Sequence, residues 1–245
     1  MIFKLKTNIS FILAAIFMFS AASSLMAGPK LYIPESTFNF GKVPQRATVS
    51  HTFWLISDGD DTLRITKVVP GCGCTKAPLM DSVLAPGDST SISIYFDSKS
   101  YRGFVSKKPY FETNINDDKV YLQIHTEVLP DPDLMRPVKL KPYILDVSQF
   151  SVKPRRRARA WIINESEEDL EIKMLDDQGK SFAVVLPELV KANDSAEIII
   201  TVNEDAIETE FNESFTFEIN DEVGSRFSLP VKRMYRIPQE KKSDK

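Results

Sequence analysis

The sequence contains few of the residues that carry out most catalytic and metal chemistry. It has only two histidines and two cysteines in 245 residues, whereas a structural zinc site alone needs about four such ligands. No serine lies in the G-x-S-x-G pattern of hydrolases, and no glycine-rich loop suits a phosphate group. We therefore expect a protein without enzymatic activity that needs no cofactor and no metal ion.

Long helices and membrane-spanning runs are also missing after the first residues. No stretch keeps an apolar period of 3.6 residues, which predicts that helices are minor. Beyond residue 27 no run is apolar enough to cross a bilayer. The chain has sixteen phenylalanines and fifteen prolines against nine glycines, a composition typical of short strands broken by turns.

The first 27 residues have the pattern of a secretory signal peptide. Lys4 and Lys6 precede the apolar run FILAAIFMF, and small residues follow it. We expect cleavage after Ala22 or Ala27. The sequence therefore predicts an exported protein in an oxidising compartment, where two cysteines can form a disulfide. The whole chain carries a formal charge of −3, so nucleic acid is a poor candidate partner.

The rest of the chain contains one strand pattern in two copies. WLISDGDDTLRI begins at Trp54, and WIINESEEDLEI begins at Trp161. LAPGDSTSISIYF from Leu84 likewise matches VKANDSAEIIITV from Val190. Alternation of apolar and polar residues within each strand predicts one buried and one solvated face. Two copies of roughly 100 residues predict an all-β fold made of two tandem immunoglobulin-like β-sandwich domains after the signal peptide.

The expected domain boundaries follow from these patterns and from local composition. The segment LPDPDLMRPVKLKP holds four prolines, so it should be an extended and stiff connection. The end of the chain, QEKKSDK, is charged and lacks apolar residues, which is typical of disorder. We expect a signal peptide over 1–27, a first sandwich over 28–130, a linker over 131–142, a second sandwich over 143–237 and a disordered tail over 238–245.

The first copy resembles the bacterial family DUF1573, whose pattern includes F-x-F-G-x-V, H-x-F, an acidic turn, C-G-C-T, P-G, a late glycine and T-N. The matching residues are Phe38, Phe40, Gly41, Val43, His51, Phe53, Asp58 to Asp60, Cys72 to Thr75, Pro86, Gly87, Gly103, Thr113 and Asn114. The resemblance covers about residues 31–128 and implies an immunoglobulin-like domain without an established activity. Such domains are common in exported proteins of Bacteroidetes, which implies the periplasm or outer cell envelope of a Gram-negative bacterium. The second copy lacks the CGC, F-x-F-G and P-G elements.

The two cysteines, Cys72 and Cys74, lie one glycine apart in PGCGCTKAP. Gly73 gives the backbone freedom that so short a disulfide ring demands. We expect a disulfide or two packed thiols that fasten the loop, and a redox couple or part of a metal site are the alternatives. His51 and His125 lie in strand patterns and are expected to be half-buried, hydrogen-bonded histidines.

Two tryptophans are expected on nominally solvated faces. The alternation that buries Phe53 turns Trp54 outward, and Trp161 takes the matching place in the second copy. Arg155, Arg157 and Arg159 precede Trp161 on one side of a strand. Exposed aromatic and arginine side chains are typical of interfaces, although arginines can also protect a sheet edge, and a loop or the other domain can cap each tryptophan.

These observations predict an exported, non-enzymatic binding or structural module of the cell envelope that acts through protein–protein contact. The expected partner is a protein or another envelope component, with no nucleic acid and no transmembrane segment in the mature chain. Two alternatives stay open. One is a thiol–disulfide redox protein that uses the CGC pair. The other is a periplasmic chaperone-like two-domain sandwich, which would need basic residues converging in a cleft.

Overall fold

The protein is all-β in the computed structural model, which describes residues 28–176 and 180–236. The predicted signal peptide and the tail over 238–245 lie outside the described residues. The only helices in the described part are 3-10 turns at Pro132–Leu134 and Glu204–Ala206. None of its helices is long and apolar enough to cross a membrane.

Within residues 28–129 the structure has eleven strands. Their bounds are β1 Leu31–Tyr32, β2 Thr37–Pro44, β3 Thr48–Ser57, β4 Leu63–Val69, β5 Thr75–Lys76, β6 Val83–Leu84, β7 Ser89–Asp97, β8 Gly103–Lys107, β9 Tyr110–Thr113, β10 Lys119–Tyr121 and β11 Gln123–Leu129. Most are short, and six of the eleven end at or directly before Pro, Asn or Asp, as expected for turn-forming residues.

The described residues of the second half form nine more strands. Their bounds are β12 Val138–Lys141, β13 Leu145–Asp146, β14 Arg157–Asn164, β15 Leu170–Asp176, β16 Phe182–Val185, β17 Leu189–Val190, β18 Ser195–Val202, β19 Phe211–Ile219 and β20 Arg226–Arg233.

The two halves pair their strands in the same order. In the first half β3 pairs with β7, and β4 pairs with β6 and β9. In the second half β14 pairs with β18, and β15 pairs with β17 and β19. The repeat seen in the sequence is therefore also a repeat of strand pairing.

The buried apolar residues form two clusters, one in each half. The first contains residues of β2, β3, β7, β9 and β11, and the second contains residues of β12 to β20. Strand β3 shows how the sequence builds this core, because Phe53 and Leu55 are fully buried while Trp54 between them is not. Full burial of each such side chain contributes about 1.5–3 kcal/mol.

The proline-rich segment expected to be an extended linker is folded into the second half. Strand β12 pairs with β14, and Met135, Val138 and Leu140 are buried in the second cluster. Pro137 and Pro142 lie just outside β12, where their missing N–H groups break no strand pairing. The segment therefore packs as a sheet edge and is not a free spacer.

One sheet continues from the first half into the second. Its strand order is β17-β15-β19-β20-β2-β11-β8, and β2 meets β20 in parallel where Lys42 lies opposite Phe227. Gly41 has φ of 64°, and a Cβ atom there would lie 2.0 Å from the main-chain oxygen of Arg226. The glycine of the F-x-F-G motif therefore lies where the backbones of β2 and β20 come into contact.

Candidate functional site

The CGC loop follows β4 and ends in β5. Cys72 and Cys74 are joined by a disulfide, with their Cα atoms 5.3 Å apart. Cys74 is only 8% exposed and lies in the first core, whereas Cys72 is half-buried and packs against that core. Gly71, just before the disulfide, has a positive φ of 85°. The bond thus fastens the loop to the core through Cys74.

A tyrosine and a lysine approach the buried sulfur from the turn before β8 and from the end of β8. The Tyr101 hydroxyl donates to Cys74 Sγ at 3.4 Å, and Lys107 Nζ donates to the Tyr101 hydroxyl oxygen at 3.0 Å. The same ammonium lies 4.4 Å from the centre of the Tyr101 ring. Sequence reasoning missed both residues, since neither lies near the cysteines along the chain.

A polar cluster lies between the two halves, around His51. The His51 ring stacks on Phe38 with ring centroids 3.7 Å apart, and its Nδ1 lies 3.2 Å from an Asp176 carboxylate oxygen without the direction of a hydrogen bond. Lys180 Nζ lies 3.1 Å from that oxygen and donates to the Ser50 carbonyl at 3.0 Å. His51 was expected to be half-buried and hydrogen-bonded, but it is only 7% exposed and its Nδ1 has no hydrogen-bond partner among the described residues. It belongs to the contact between the halves.

Two serines complete this contact through reciprocal hydrogen bonds. The Ser50 N–H donates to Ser214 Oγ at 2.9 Å, and the Ser214 N–H donates to Ser50 Oγ at 3.1 Å.

The second histidine, His125, lies half-buried in β11 and is not part of this cluster. Among residues 28–176 and 180–236 no group of three His, Cys, Asp or Glu side chains is placed to hold a metal ion.

The exposed side of β14 carries the basic and aromatic residues singled out in the sequence. Arg157, Arg159 and Trp161 alternate with the inward-facing residues Ala160 and Ile162. Trp161 is 46% exposed. Arg155 is exposed but precedes the strand, and its carbonyl accepts a hydrogen bond from the buried Arg233 guanidinium at 2.9 Å. The structure therefore places two of the three arginines on the tryptophan's face.

Neighbouring strands add apolar and basic residues to this face. Strand register places Lys141 of β12 and Glu197 of β18 opposite Trp161, Ile199 of β18 opposite Arg159, and Val185 of β16 opposite Ile199. Val185 is 63% exposed. We call this surface the basic-aromatic face and define it by Lys141, Arg157, Arg159, Trp161, Val185 and Ile199.

The arginine row was interpreted either as part of an interface or as protection of a sheet edge, and both interpretations have a structural basis. Strand β12 pairs only with the Trp161–Asn164 part of β14, so residues 157–160 have a strand neighbour on the β18 side alone. This part of β14 is a local edge, where charged side chains discourage pairing with another chain. Arg159 also lies 3.2 Å from the Glu197 carboxylate, which fixes its direction on the face.

Trp54 lies in a different sheet from Trp161 and does not extend the basic-aromatic face. Its strand, β3, belongs to the sheet β1-β3-β7-β5, whereas β14 belongs to the sheet β12-β14-β18-β16. Trp54 is 40% exposed and lines a cavity of about 220 Å³ together with Leu175 and Asp176 of the second half. Trp54 therefore lies next to the other half. This position is needed if the other half is to cap the tryptophan, which was one of the alternatives for it.

Comparison with known proteins finds a family match within the first half. Residues 31–128 match the family described as "Protein of unknown function (DUF1573)". No curated protein matches the sequence.

Three solved structures illustrate the distant likenesses in fold. A protein of unknown function from Porphyromonas gingivalis W83 is 12% identical, with 84% of this chain and 99% of that chain covered and a TM-score of 0.35. The ASH / PapD-like domain 7 of human CEP192 is 13% identical, with 44% of this chain and 92% of that chain covered and a TM-score of 0.35. The YadV chaperone is 12% identical, with 82% of this chain and 98% of that chain covered and a TM-score of 0.30. Likenesses at this level do not bear on function.

Proposed function

We propose that this protein, whose residues 31–128 are a DUF1573 domain, is an exported, non-enzymatic binding module of the cell envelope that acts through protein–protein contact. Its contact surface is the basic-aromatic face of the second half. The proposed location is the periplasm or outer envelope of a Gram-negative bacterium, as the leader pattern and the family resemblance imply.

One observation carries this proposal, namely the exposure of Trp161 among basic and aliphatic side chains on a paired sheet. Tryptophan and arginine are the residues most enriched at the energetic centres of interfaces. The backbone of Trp161 is held on both sides, opposite Lys141 and Glu197, so little backbone freedom is lost on binding. Val185 and Ile199 widen the apolar centre of the surface.

The charge of the face indicates the chemistry of the partner. Arg157 adds positive charge near Trp161 and forms no ion pair within the described residues, whereas Lys141, opposite Trp161, lies 3.8 Å from the Asp133 carboxylate. A guanidinium with unused donors pairs well with carboxylates. The partner should therefore present an acidic surface around an apolar centre.

The chaperone-like alternative depends on basic residues that converge in an open cleft. At the contact between the halves, the buried lysine is Lys180, and its ammonium is engaged by Asp176 and by the Ser50 carbonyl. That lysine supports the contact itself and offers no charge to a bound strand. The chaperone alternative stays a prediction without a specific supporting contact.

Site-specific crosslinking in living cells tests the proposal. A photo-reactive benzoylphenylalanine in place of Val185 leaves Trp161 and both arginines of the face intact. We expect one discrete adduct in the envelope fraction, reduced at least about tenfold by Trp161→Ser or Arg157→Glu, which is the size of effect expected at an interface centre. Trp54→Ser and a crosslinker at Tyr121, which is also half-exposed, are the matched controls. An adduct that both face variants leave unchanged, or no adduct at Val185, would contradict the proposal.

A further inference from the structure

The two sulfurs of the CGC disulfide have different surroundings. Cys74 is buried in the first core, while Cys72 is half-buried at the surface of the loop. Gly73 between them faces open space, because a Cβ atom built there would meet no other atom within 4 Å. Because Cys74 is the more buried of the two residues, an external thiol should reach Cys72 Sγ more readily than Cys74 Sγ.

The buried sulfur alone receives a hydrogen bond backed by a positive charge. Lys107 donates to the Tyr101 hydroxyl oxygen, and this hydroxyl donates to Cys74 Sγ. A hydroxyl that itself accepts a hydrogen bond from an ammonium is a better donor, because hydrogen bonds in a chain polarise one another. Hydrogen bonds to an ionised acceptor are about twice as strong as neutral ones. The same contact thus stabilises a Cys74 thiolate more than it stabilises the disulfide.

The packing of the tyrosine favours this function over a role in core packing alone. The Tyr101 ring lies 5.6 Å from that of Phe96 in the first core, and its main-chain N–H donates to the Ser98 carbonyl. These two contacts fix the ring without using the hydroxyl. A phenylalanine would keep both of them, so among the described residues the hydroxyl is used only in the contacts with Lys107 and the sulfur.

We propose that Cys72–Cys74 is a thiol-exchange centre in which Cys72 is attacked, Cys74 is the leaving group, and Tyr101 with Lys107 stabilises the departing thiolate. An external thiolate attacks Cys72 Sγ, the bond between Cys72 and Cys74 breaks, and its electron pair goes to Cys74 Sγ. The products are a mixed disulfide at Cys72 and a Cys74 thiolate. A second external thiolate then attacks the first external sulfur and releases Cys72, so that the CGC pair is reduced and two external thiols are oxidised to one disulfide. This activity is separate from binding at the basic-aromatic face.

Tyr101→Phe and Lys107→Gln test the roles of the two positioning residues in the oxidised, folded chain. The probe is glutathione in excess, and the readout is the rate at which free thiols appear. We expect each variant to react about tenfold more slowly, because a leaving thiolate that loses a charge-assisted hydrogen bond leaves more slowly. The matched control is Tyr110→Phe, since Lys119 Nζ lies 4.8 Å from the Tyr110 ring centre in a similar pair without a sulfur.

A second measurement separates this role from a packing effect. In the Cys72→Ser variant, the ionisation of the remaining thiol is followed over a range of pH by the ultraviolet absorbance of its thiolate, a readout that needs no reagent to reach the buried sulfur. We expect Tyr101→Phe to move the midpoint of this profile upward by about one pH unit, which corresponds to a tenfold change in ionisation. Equal reduction rates and equal profiles for Tyr101→Phe and Tyr110→Phe would overturn the proposal. So would a wild-type disulfide that glutathione fails to reduce, because it would make the bond a loop staple only.

Discussion

Replacing Gly41 by alanine should separate the two halves of the molecule at the sheet that joins them. The new Cβ atom would lie 2.0 Å from the main-chain oxygen of Arg226, and a main-chain atom cannot rotate away. The left-handed backbone at φ of 64° costs an alanine roughly 1–2 kcal/mol, and overpacking adds about 1–3 kcal/mol. We therefore expect Gly41→Ala to lower the free energy of unfolding by about 2–5 kcal/mol.

Gly103→Ala is the matched control for this prediction. Gly103 has nearly the same backbone angle, with φ of 67°, but an added Cβ would meet nothing within 4 Å. Its substitution should cost only the backbone strain, about 1–2 kcal/mol. The difference between the two variants then measures the contact between β2 and β20.

Urea unfolding followed by tryptophan fluorescence provides the assay, because Trp54 lies in the first half and Trp161 in the second. Variants that keep one tryptophan each report the two halves separately. In the wild-type chain both probes should unfold together, whereas in Gly41→Ala their midpoints should separate. If Gly41→Ala is no less stable than Gly103→Ala and its two probes still coincide, the backbones do not meet at Gly41 and the reasoning fails.

Two further predictions concern charged groups. Lys180→Met leaves the Asp176 carboxylate buried without its ammonium partner, so it should lower the free energy of unfolding in urea by about 3 kcal/mol. The double variant with Asp176→Leu should recover most of this loss. If Lys180→Met alone leaves the free energy of unfolding unchanged, the pair does not form. Burial raises the pKa of Asp146, but hydrogen bonds from Ser148 and Lys232 together with the Lys232 charge outweigh it and hold the pKa below its ordinary 3.8. This stabilisation is present above pH 3.8 and is lost as pH falls through the lowered pKa. Asp146→Asn should thus flatten the acid side of a plot of urea midpoint against pH, and an unchanged acid side would contradict it.

The strands of this protein, and the face that each residue takes on them, could largely be predicted from the local sequence. Alternation in VSHTFWLIS separates the buried Phe53 from the exposed Trp54, and the second copy repeats this at Trp161. Such patterns are visible because one face of each strand is apolar and the other polar. The strands of the structure confirm the all-β prediction, and the family match over residues 31–128 confirms the DUF1573 resemblance.

Contacts between distant segments were not predictable in the same way. Gly41 has the sequence signature of a family motif, but its structural cause is the backbone of Arg226 in the other half of the chain. Tyr101 and Lys107 are ordinary residues of a turn and a strand until the fold places them beside Cys74. Arg155 was expected in line with Arg157 and Arg159, but the strand begins only at Arg157. Periodicity fixes which face a residue takes and leaves open which segment covers it.

The sheet that runs through both halves also orders the events of folding. Ser228 donates to the carbonyl of Phe40, a partner 188 residues away in the chain. A chain that emerges from its N-terminal end can complete the first core before β20 exists, but the inner edge of β2 must wait unpaired. Contacts of such long sequence separation form late and slowly. During that interval the inner edge of β2 is open to pairing with another chain, and the arrival of β20 ends this exposure.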